Sequence, residues 1–598
     1  MNRRNSYLIS RALHTFMWAS ILSSLAQLLS TLTDAVVVSN LIGPDAISAV
    51  NVSVPVLSLV SCVAILLGTG GSIVAAKAMG VRNMDEANRV FSMSLTATLA
   101  FGLVISVAGY LLAPEVVGLV CPADSRIYPL AASYLQVIFT GMVFMLGGFT
   151  LQSFVKTDGN PRLVMKAVVT GCVVNLVFDV LFIKVFNMGM AGSAWASVLS
   201  YIAAFAVTLL HFRQPYCGLR FKLSTAFAGL GIIAKEGAPL SVNSLLLGVC
   251  TYFINTIVIR TAGDDGMYVW SLCLQLFTVM QLVLGGISTS IYAIGGLLAG
   301  ERDMEGLGML TRRVLAYVCG VLAVITVAML LFPGVLGNLF GGSGLASHGG
   351  TDTASPIRVY ALLLVPYAIV AVLRSLYQII GFRGMSMVLS ITQLVAMVLC
   401  VWVLSRVTPD LLWWGFPVSA VILLLATLLF SWHQTRRQPQ LAPVTLIPRT
   451  AGGRSLNFSV RLTYKDAIQA MDDIRTFLKD GGVEEGTAFN VCLCCEELLY
   501  NIIDYAVEKC PEKHFADVHI RQTDPMVTVL LKDDGRPFNP VYKPKEHESP
   551  QDNAVDEEHL GLLLASGASS SIRYKYMYDQ NMVFLTFQRN PTNRHSDV

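Results

Sequence analysis

The sequence predicts an all-α polytopic membrane protein of twelve transmembrane helices in two six-helix lobes, followed by a C-terminal α+β sandwich. The last 166 of its 598 residues hold 19 Lys/Arg and 23 Asp/Glu, the charge density of a soluble domain, whereas the first 432 hold only 23 and 16. Twelve apolar runs in that first part are each long enough to cross a bilayer. The net charge of +3 argues against a nucleic-acid partner.

The predicted spans begin after a basic N-terminus that has no cleavage signal behind it, so the first span is interpreted as a retained helix. Basic residues concentrate in alternate loops, such as Lys77 and Arg82 after the second span, and again at Arg436 and Arg437 after the last. Because Lys and Arg favour the cytoplasmic side, both termini are predicted to be cytoplasmic, in a cell inner (plasma) membrane. The spans cover residues 13–39, 46–76, 91–113, 130–155, 164–186, 190–211, 232–260, 266–299, 312–333, 357–381, 386–406 and 411–432.

The membrane part contains an internal repeat. Gly80-Val-Arg-Asn-Met-Asp85 matches Gly300-Glu-Arg-Asp-Met-Glu305 at an offset of 220 residues, and Asp34 faces Asn255 at nearly the same offset. Two halves that repeat in the same order predict parallel repeats with a binding cavity at their interface. The predicted divisions are lobes 1–220 and 221–435, a linker 436–453 and a cytosolic domain 454–598.

Two acidic residues lie inside predicted spans, where charge is costly and marks a candidate functional site. Asp34 lies in the first span and Asp179 in the fifth, with Asn175 one helical turn before it. Two carboxylates with amide and hydroxyl oxygens can hold a proton or a hard cation such as Na⁺. The alternative is a buried structural hydrogen-bonded pair. Since Asn255 replaces Asp34 in the second half, ion coupling is expected in the N-terminal half.

The membrane part resembles the multidrug and toxic compound extrusion (MATE) family. The resemblance rests on Thr33-Asp34, on the two repeated Gly-x-Arg motifs and on three further stretches: Lys156-Thr-Asp-Gly-Asn-Pro161, Asn175-Leu-Val-Phe-Asp179 and Gly192-Ser-Ala-Trp-Ala-Ser197. It implies an antiporter that exports small organic cations or drugs, xenobiotics among them, against H⁺ or Na⁺. It also implies a cation site of Asp34, Asn175, Asp179 and Ser197, where serine stands in place of the threonine common in relatives.

The tail alternates short strands and helices, which predicts an α+β domain. Strands are expected at Leu456–Leu462, 518–521, 527–532 and 582–588, and helices at 464–478 and 489–510. Glu497 and Asn501 stand one helical turn apart, a pair that can activate a hydroxyl and hold Mg²⁺. Asp533 and Gly535 form a turn after a strand, where a carboxylate can accept the exocyclic amine of adenine. Glu558-His559-Leu-Gly561 opens a predicted helix whose amides can bind phosphate.

These three segments, in this order, resemble the histidine-kinase-like (GHKL) ATP-binding fold, and most of all the anti-sigma-factor serine kinases. The resemblance implies that ATP and Mg²⁺ are cofactors. Asn501 would coordinate Mg²⁺, Glu497 would be the general base, and Asp533, Gly535 and Gly561 would bind the nucleotide. Glu558 and His559 depart from the family, whose phosphate loop has two glycines there. Backbone approach to phosphate favours residues without side chains.

Three functions remain open at this point. The first is a cation-coupled exporter in the membrane, regulated by a cytosolic nucleotide-binding, anti-sigma-like domain. The second is a membrane sensor whose tail is a serine/threonine kinase, or an anti-sigma-type binder that captures an anti-anti-sigma-like regulator protein. The third is a lipid or polysaccharide flippase of the same superfamily, which is expected to have a basic cavity. The acids inside the spans favour cationic cargo, and Arg260 and Arg374 point the other way.

Overall fold

The structure is a computed structural model of the chain, and it separates into two compact units. One unit is Met1–His14 with Thr450–Val598, and the other is Thr15–Arg449. The structure describes residue 5 and residues 7–42, 44–118, 127–215, 217–222, 228–333, 354–449, 453–506, 513–537, 539 and 567–589.

Eleven helices of the described chain are long and apolar enough to cross a membrane, and a bent pair brings the number to twelve. The twelve-span prediction is therefore consistent with the described helices, although most of them extend beyond the predicted bounds. Numbered in chain order, the spans are span 1 Tyr7–Leu41; span 2 Pro44–Ala64, Ile65–Thr69 and Gly70–Gly80; span 3 Met84–Gly118; span 4 Tyr128–Thr140 and Met142–Thr157; span 5 Pro161–Val180 and Leu181–Val185; span 6 Gly189–Leu209 and Leu210–Arg213; spans 7 and 8 Leu230–Ser290, Ile291–Gly295 and Gly296–Glu301; span 9 Met304–Leu331; span 10 Ala354–Ala361 and Leu364–Ile379; span 11 Arg383–Ser405; and span 12 Pro409–Trp414 and Gly415–Arg437.

The ends of the spans follow from local sequence. Span 5 begins at Pro161, which needs no N–H partner at the first helical position, and the Asn160 side chain accepts a hydrogen bond from the Leu163 N–H at 3.1 Å. Spans 7 and 8 form one run that breaks at Gly263, whose φ of 64° is a conformation that glycine adopts without strain. Span 4 bends by 54° between its two helices.

The repeat seen in the sequence is also a repeat of local structure. Arg82 and Arg302 both have left-handed φ angles, 65° and 58°. Just after them, the Asn83 and Asp303 side chains accept hydrogen bonds from backbone N–H groups three residues on, at 3.0 and 2.9 Å. The two turns lie against each other, because a Cβ atom placed on Gly80 would lie 2.7 Å from the Gly300 Cα.

The tail forms one antiparallel sheet of five strands in the order β1-β2-β3-β5-β4. The strands are β1 Arg454–Arg461, β2 Phe515–Gln522, β3 Met526–Asp533, β4 Ser571–Met577 and β5 Gln580–Gln588. The helices Tyr464–Asp480 and Glu485–Asn501 share one apolar core with the sheet, and Cys492, Cys494 and Cys495 lie inside that core as small apolar side chains.

Each element predicted for the described part of the tail is present, with two differences. The helix expected at 489–510 begins earlier, at Glu485, and gives way after Asn501 to the wide turn Ile502–Ala506. Strand β4 was not predicted, although its residues alternate polar and apolar from Ser571 to Tyr576 as a strand requires. The helix expected at Glu558 falls outside the described residues, as do Glu558, His559 and Gly561.

Candidate functional site

Asp34 and Asp179 lie side by side in the first half of the membrane unit. Each interacts with the other, and Ser193 of span 6 lies next to both. Asp179 is fully buried. Asp34 Oδ1 and both carboxylate oxygens of Asp179 are buried and have no hydrogen-bond partner within the described chain. Two adjacent carboxylates are unfavourable in such an environment when both are ionised and nothing neutralises them. Either one of them takes up a proton or a cation lies between them.

The other two predicted cation ligands lie together beside the acids. Asn175 Nδ2 donates to Ser197 Oγ at 3.5 Å, and Ser30 Oγ of span 1 donates to Asn175 Oδ1 at 3.3 Å. Asn175 and Ser197 are only 8% and 9% exposed. The side chains therefore come from spans 1, 5 and 6 and offer carboxylate, amide and hydroxyl oxygens, the ligand types that hard cations prefer.

Ser30 and Ser193 lie beside these candidate ligands, and the sequence reasoning missed both. Each stands four residues before a predicted ligand, Ser30 before Asp34 and Ser193 before Ser197, so a search along one helix face would have found them. Tyr134 of span 4 also lies near the site, because it interacts with both acids and with Ser197. No spacing links Tyr134 to the site, since it lies on a separate span.

In the tail, Asp533 ends strand β3 and is almost completely buried. Its Oδ1 accepts hydrogen bonds from the Gly535 N–H and from Asn581 Nδ2, each at 2.8 Å. Both bonds go to the same oxygen, so Oδ2 is left for an external donor such as an exocyclic amine. Burial raises the pKa of Asp533 to about 6, with the two hydrogen bonds opposing the rise and the neighbouring Asp534 adding to it.

Asn581 of strand β5 holds this turn in place, and sequence reasoning missed it too. Its Nδ2 also donates to the carbonyl of Arg536, at 2.9 Å. Asp533 and Asn581 are direct partners in the β3–β5 register. Pairing between strands 48 residues apart decides this contact, and no local motif reports it.

Glu497 and Asn501 occupy neighbouring positions on one face of the helix Glu485–Asn501, as their spacing predicts. Asn501 Nδ2 donates to the Glu497 backbone carbonyl at 2.7 Å, which directs the amide oxygen away from the helix. Burial raises the pKa of Glu497, and the adjacent Glu496 raises it further. Such a carboxylate is more easily protonated than an exposed one, as a general base requires.

The first residues of the chain pack on the tail, within the same compact unit. Tyr7 donates its hydroxyl to Asp534 Oδ2 at 3.0 Å, and Arg11 forms an ion pair with the same oxygen. His514 lies 2.9 Å from that carboxylate as well. Gln580 of strand β5 donates to the Leu8 carbonyl at 2.6 Å. The start of span 1 is thus held at the residue that directly follows Asp533.

A third polar cluster joins the end of span 4 to the end of span 6 and the residues that follow it. His211 Nε2 lies 2.9 Å from Asp158 Oδ2, and this oxygen also accepts the Gly218 N–H at 2.9 Å. Cys217 Sγ lies within the same group of donor atoms. Asp158 is the acid of the Asp-Gly-Asn-Pro stretch. Its carboxylate ties that turn to the residues that follow span 6.

Part of the membrane unit matches a known family model. Residues 19–181 match the MatE family, a segment that contains Asp34, Asn175 and Asp179. The chain therefore carries a MatE domain. Relatives of this chain include the probable multidrug resistance protein YoeA of Bacillus subtilis, 26% identical over 305 residues, which are 49% of this chain and 65% of that protein. The multidrug export protein MepA of Staphylococcus haemolyticus is 21% identical over 286 residues, 47% of this chain and 63% of its own length.

Solved MATE structures share the fold of a large part of this chain. A MATE crystal structure in complex with MaL6 superposes with a TM-score of 0.66 at 23% identity, covering 71% of this chain and 95% of that one. A MOP superfamily transporter from Pyrococcus furiosus gives 0.65 at 23% identity with the same coverage. The matched segments span a little under two thirds of the two curated relatives. The protein is a multi-pass membrane protein of MATE fold.

The tail matches a second family. Residues 460–587 match the histidine kinase-like ATPase domain. This range contains Glu497, Asn501, Asp533 and Asn581, and it covers most of the five-stranded sheet. A MatE domain and a histidine kinase-like ATPase domain are thus joined in one chain.

Proposed function

We propose that the protein is an antiporter that exports organic cations or drugs in exchange for H⁺ or Na⁺. The observation that carries the proposal is the pair Asp34 and Asp179, whose buried carboxylate oxygens have no partner in the described chain. A proton or a hard cation bound there would neutralise them. Its release would return negative charge to the interior and favour entry of a cationic cargo. The names of the two multidrug relatives support the same class of cargo.

The test uses the full chain reconstituted in liposomes, with ethidium as the organic cation and either a pH or a Na⁺ gradient. We expect one gradient to drive ethidium movement and Asp34→Asn to abolish it. The matched control is Asn255→Ala, because Asn255 stands at the equivalent position of the second half and accepts a hydrogen bond from Trp270 Nε1 at 2.6 Å. Gradient-driven transport by Asp34→Asn at the wild-type rate would remove the proposed site.

The tail, in this proposal, binds ATP with Mg²⁺ and regulates transport from the cytoplasm, where the basic loops place both termini. Asp533 Oδ2 would accept the adenine amine, Gly535 would shape the adenine turn, Asn501 would reach Mg²⁺ and Gly561 would approach phosphate. The contact of Tyr7 and Arg11 with Asp534 supports a regulatory link. Their helix continues without a break as far as Leu41, and so carries Asp34.

A second function has one observation in its favour. The pKa of Glu497 is raised by burial, which suits a general base in transfer of phosphate to a serine of a regulator protein. Incubating the full chain with radiolabelled ATP and an anti-anti-sigma-like protein tests this, with Glu497→Gln as the inactive variant and Glu485→Gln, earlier on the same helix, as control. Labelled phosphoserine that depends on Glu497 would establish a kinase, and its absence would leave ATP binding as the tail's role.

A further inference from the structure

A buried arginine lies in the second half of the membrane unit. Arg374 of span 10 is 8% exposed, and Nη1 donates to Asn243 Oδ1 of span 7 at 2.7 Å and to Gln393 Oε1 of span 11 at 3.2 Å. Both acceptors are neutral amides. Among the ion pairs of the described residues, none includes Arg374, so its positive charge is solvated by dipoles without a counter-charge.

The rest of the guanidinium is available to a ligand. Nε and Nη2 make no hydrogen bond with the described chain, and neither is among its completely enclosed polar atoms. These two nitrogens form one edge of the planar fork that binds a carboxylate with two parallel hydrogen bonds. A buried cation in a membrane interior is costly unless such a partner arrives.

A second unsatisfied donor lies next to this fork. Gln393 is 4% exposed, and its Oε1 is occupied by Arg374, but its Nε2 is buried and has no partner in the described chain. The amide nitrogen is bonded to the same carbon as that oxygen, so it stands directly beside the guanidinium. Leaving a buried N–H unpaired is unfavourable, and an incoming acceptor would remove that cost. Gln393 lies near the midpoint of span 11, Arg383–Ser405, and binding sites of secondary transporters lie near the bilayer midplane.

We propose that Arg374 and Gln393 bind the carboxylate of the transported molecule. The inference rests on the proposed export function and narrows its cargo from organic cations to zwitterions that carry both a positive group and a carboxylate. The first half of the membrane unit would then supply acidic groups and the second half a basic one. A zwitterion needs both an acidic and a basic partner, whereas a simple cation needs only the acidic one.

The test compares two fluorescent dyes that differ only at the carboxyl group, rhodamine B and its ethyl ester. Binding to the purified full chain in lipid-containing micelles is followed by fluorescence anisotropy, without any ion gradient. We expect wild type to prefer rhodamine B over the ester, and Arg374→Gln to weaken rhodamine B binding about tenfold or more, the effect of a lost charge-assisted hydrogen bond, while the ester is unaffected. The control is Arg358→Gln on the same span, whose exposed side chain donates to the Leu330 carbonyl.

A second variant separates loss of the site from loss of the fold. Gln393→Glu places a carboxylate against the guanidinium, so the internal pair fills the site and keeps the charge compensated. We expect it to lose the preference for rhodamine B and to keep ester binding. Equal effects on both dyes, or a wild type that shows no preference for rhodamine B, including one that binds neither dye, would overturn the proposal. Ethidium transport dependent on Asp34 can persist in that case, so failure of the carboxylate site is distinguishable from failure of the proposed export function.

Discussion

Lys77 Nζ lies 2.9 Å from Glu236 Oε1, and this contact joins the two halves of the membrane unit. Glu236 of span 7 is almost fully buried, and Arg383 at the start of span 11 approaches the same oxygen at 2.8 Å. Lys77 lies one turn before Gly80, whose backbone packs on Gly300. The pair and the glycine contact join the two halves at one end of the bundle, and an alternating-access cycle of the proposed exporter would have to break both.

Glu236→Gln should loosen that end of the bundle. The change leaves two cations beside a neutral amide, and removing one partner of a buried pair costs about 3–5 kcal/mol. Hydrogen–deuterium exchange of the residues around Lys77 should therefore speed up by more than an order of magnitude. Glu86→Gln is the matched control, because Glu86 and Arg89 form an exposed pair at 2.7 Å that contributes little. Equal exchange in both variants would show that the buried pair does not hold the closure.

Ser197→Ala should weaken ion coupling, whereas Ser197→Thr should preserve it. Alanine removes the hydroxyl that Asn175 Nδ2 contacts at 3.5 Å, and threonine keeps a hydroxyl at the same place. The measurement is the concentration of coupling ion that gives half-maximal ethidium transport, which we expect to rise about tenfold for alanine. Ser153→Ala is the control, since this exposed hydroxyl bonds only its own helix, at the Phe149 carbonyl. An unchanged ion requirement in the alanine variant would exclude Ser197 from the site.

ATP binding should weaken as the pH falls through about 6, the pKa to which burial raises Asp533. Above that pH the carboxylate can accept the adenine amine, and below it the protonated acid cannot, so affinity should fall by about tenfold per pH unit. Asp533→Asn should bind weakly at every pH, and exposed Asp524→Asn should behave as wild type. The pKa of Asp533 is higher in the folded than in the unfolded state, so ionisation of this side chain lowers the stability of the tail as the pH rises through 6. Asparagine carries no charge at this position, and we therefore expect Asp533→Asn to leave the tail folded. Titration with a fluorescent ATP analogue measures this, and a pH-independent affinity in wild type would contradict it.

Arg11→Ala should separate ATP binding from its effect on transport. The change removes the ion pair with Asp534 and leaves the Asp533 turn, with its Asn581 anchor, in place. We expect ATP affinity to change by less than about twofold, because a partly exposed pair contributes little to stability, while the dependence of ethidium transport on ATP is lost. Arg461→Ala, an exposed change on strand β1, is the control. If ATP regulates transport by the Arg11 variant as it does in wild type, the contact between Arg11 and Asp534 does not connect ATP binding to transport.

Asp158→Asn should destabilise the membrane unit. The Asp158 carboxylate accepts from both His211 Nε2 and the Gly218 N–H, and all of it is buried. We expect a loss of about 3–5 kcal/mol in unfolding free energy and a lower Tm in detergent. Exposed Asp85→Asn should leave the Tm unchanged. A Tm for Asp158→Asn within error of wild type would mean that the turn is held by other contacts.

Local patterns in the sequence predicted most of the architecture. Apolar length identified the spans, because the bilayer sets that length for each helix separately. The Gly-x-Arg repeat predicted two repeated halves, and the structure has the same turn at both motifs, since cap chemistry depends on neighbouring residues. The Glu497–Asn501 spacing predicted a shared helix face for the same reason. Strand β4 was missed although Ser571–Tyr576 alternate polar and apolar residues, a local pattern that would have predicted it.

The sequence by itself determined that Asp34, Asp179 and Arg374 stand inside apolar spans, where charge is expensive, and that Asp533 follows a strand. Hydropathy measures that cost one residue at a time. Only the tertiary structure decided which groups surround these side chains: Asp34 meets Asp179 across 145 residues, Asp533 meets Asn581 across a strand pair, and Arg374 meets neutral amides among the described residues. The reason is that the electrostatic energy of a buried group depends on the atoms within a few ångströms of it, and those atoms come from distant parts of the chain.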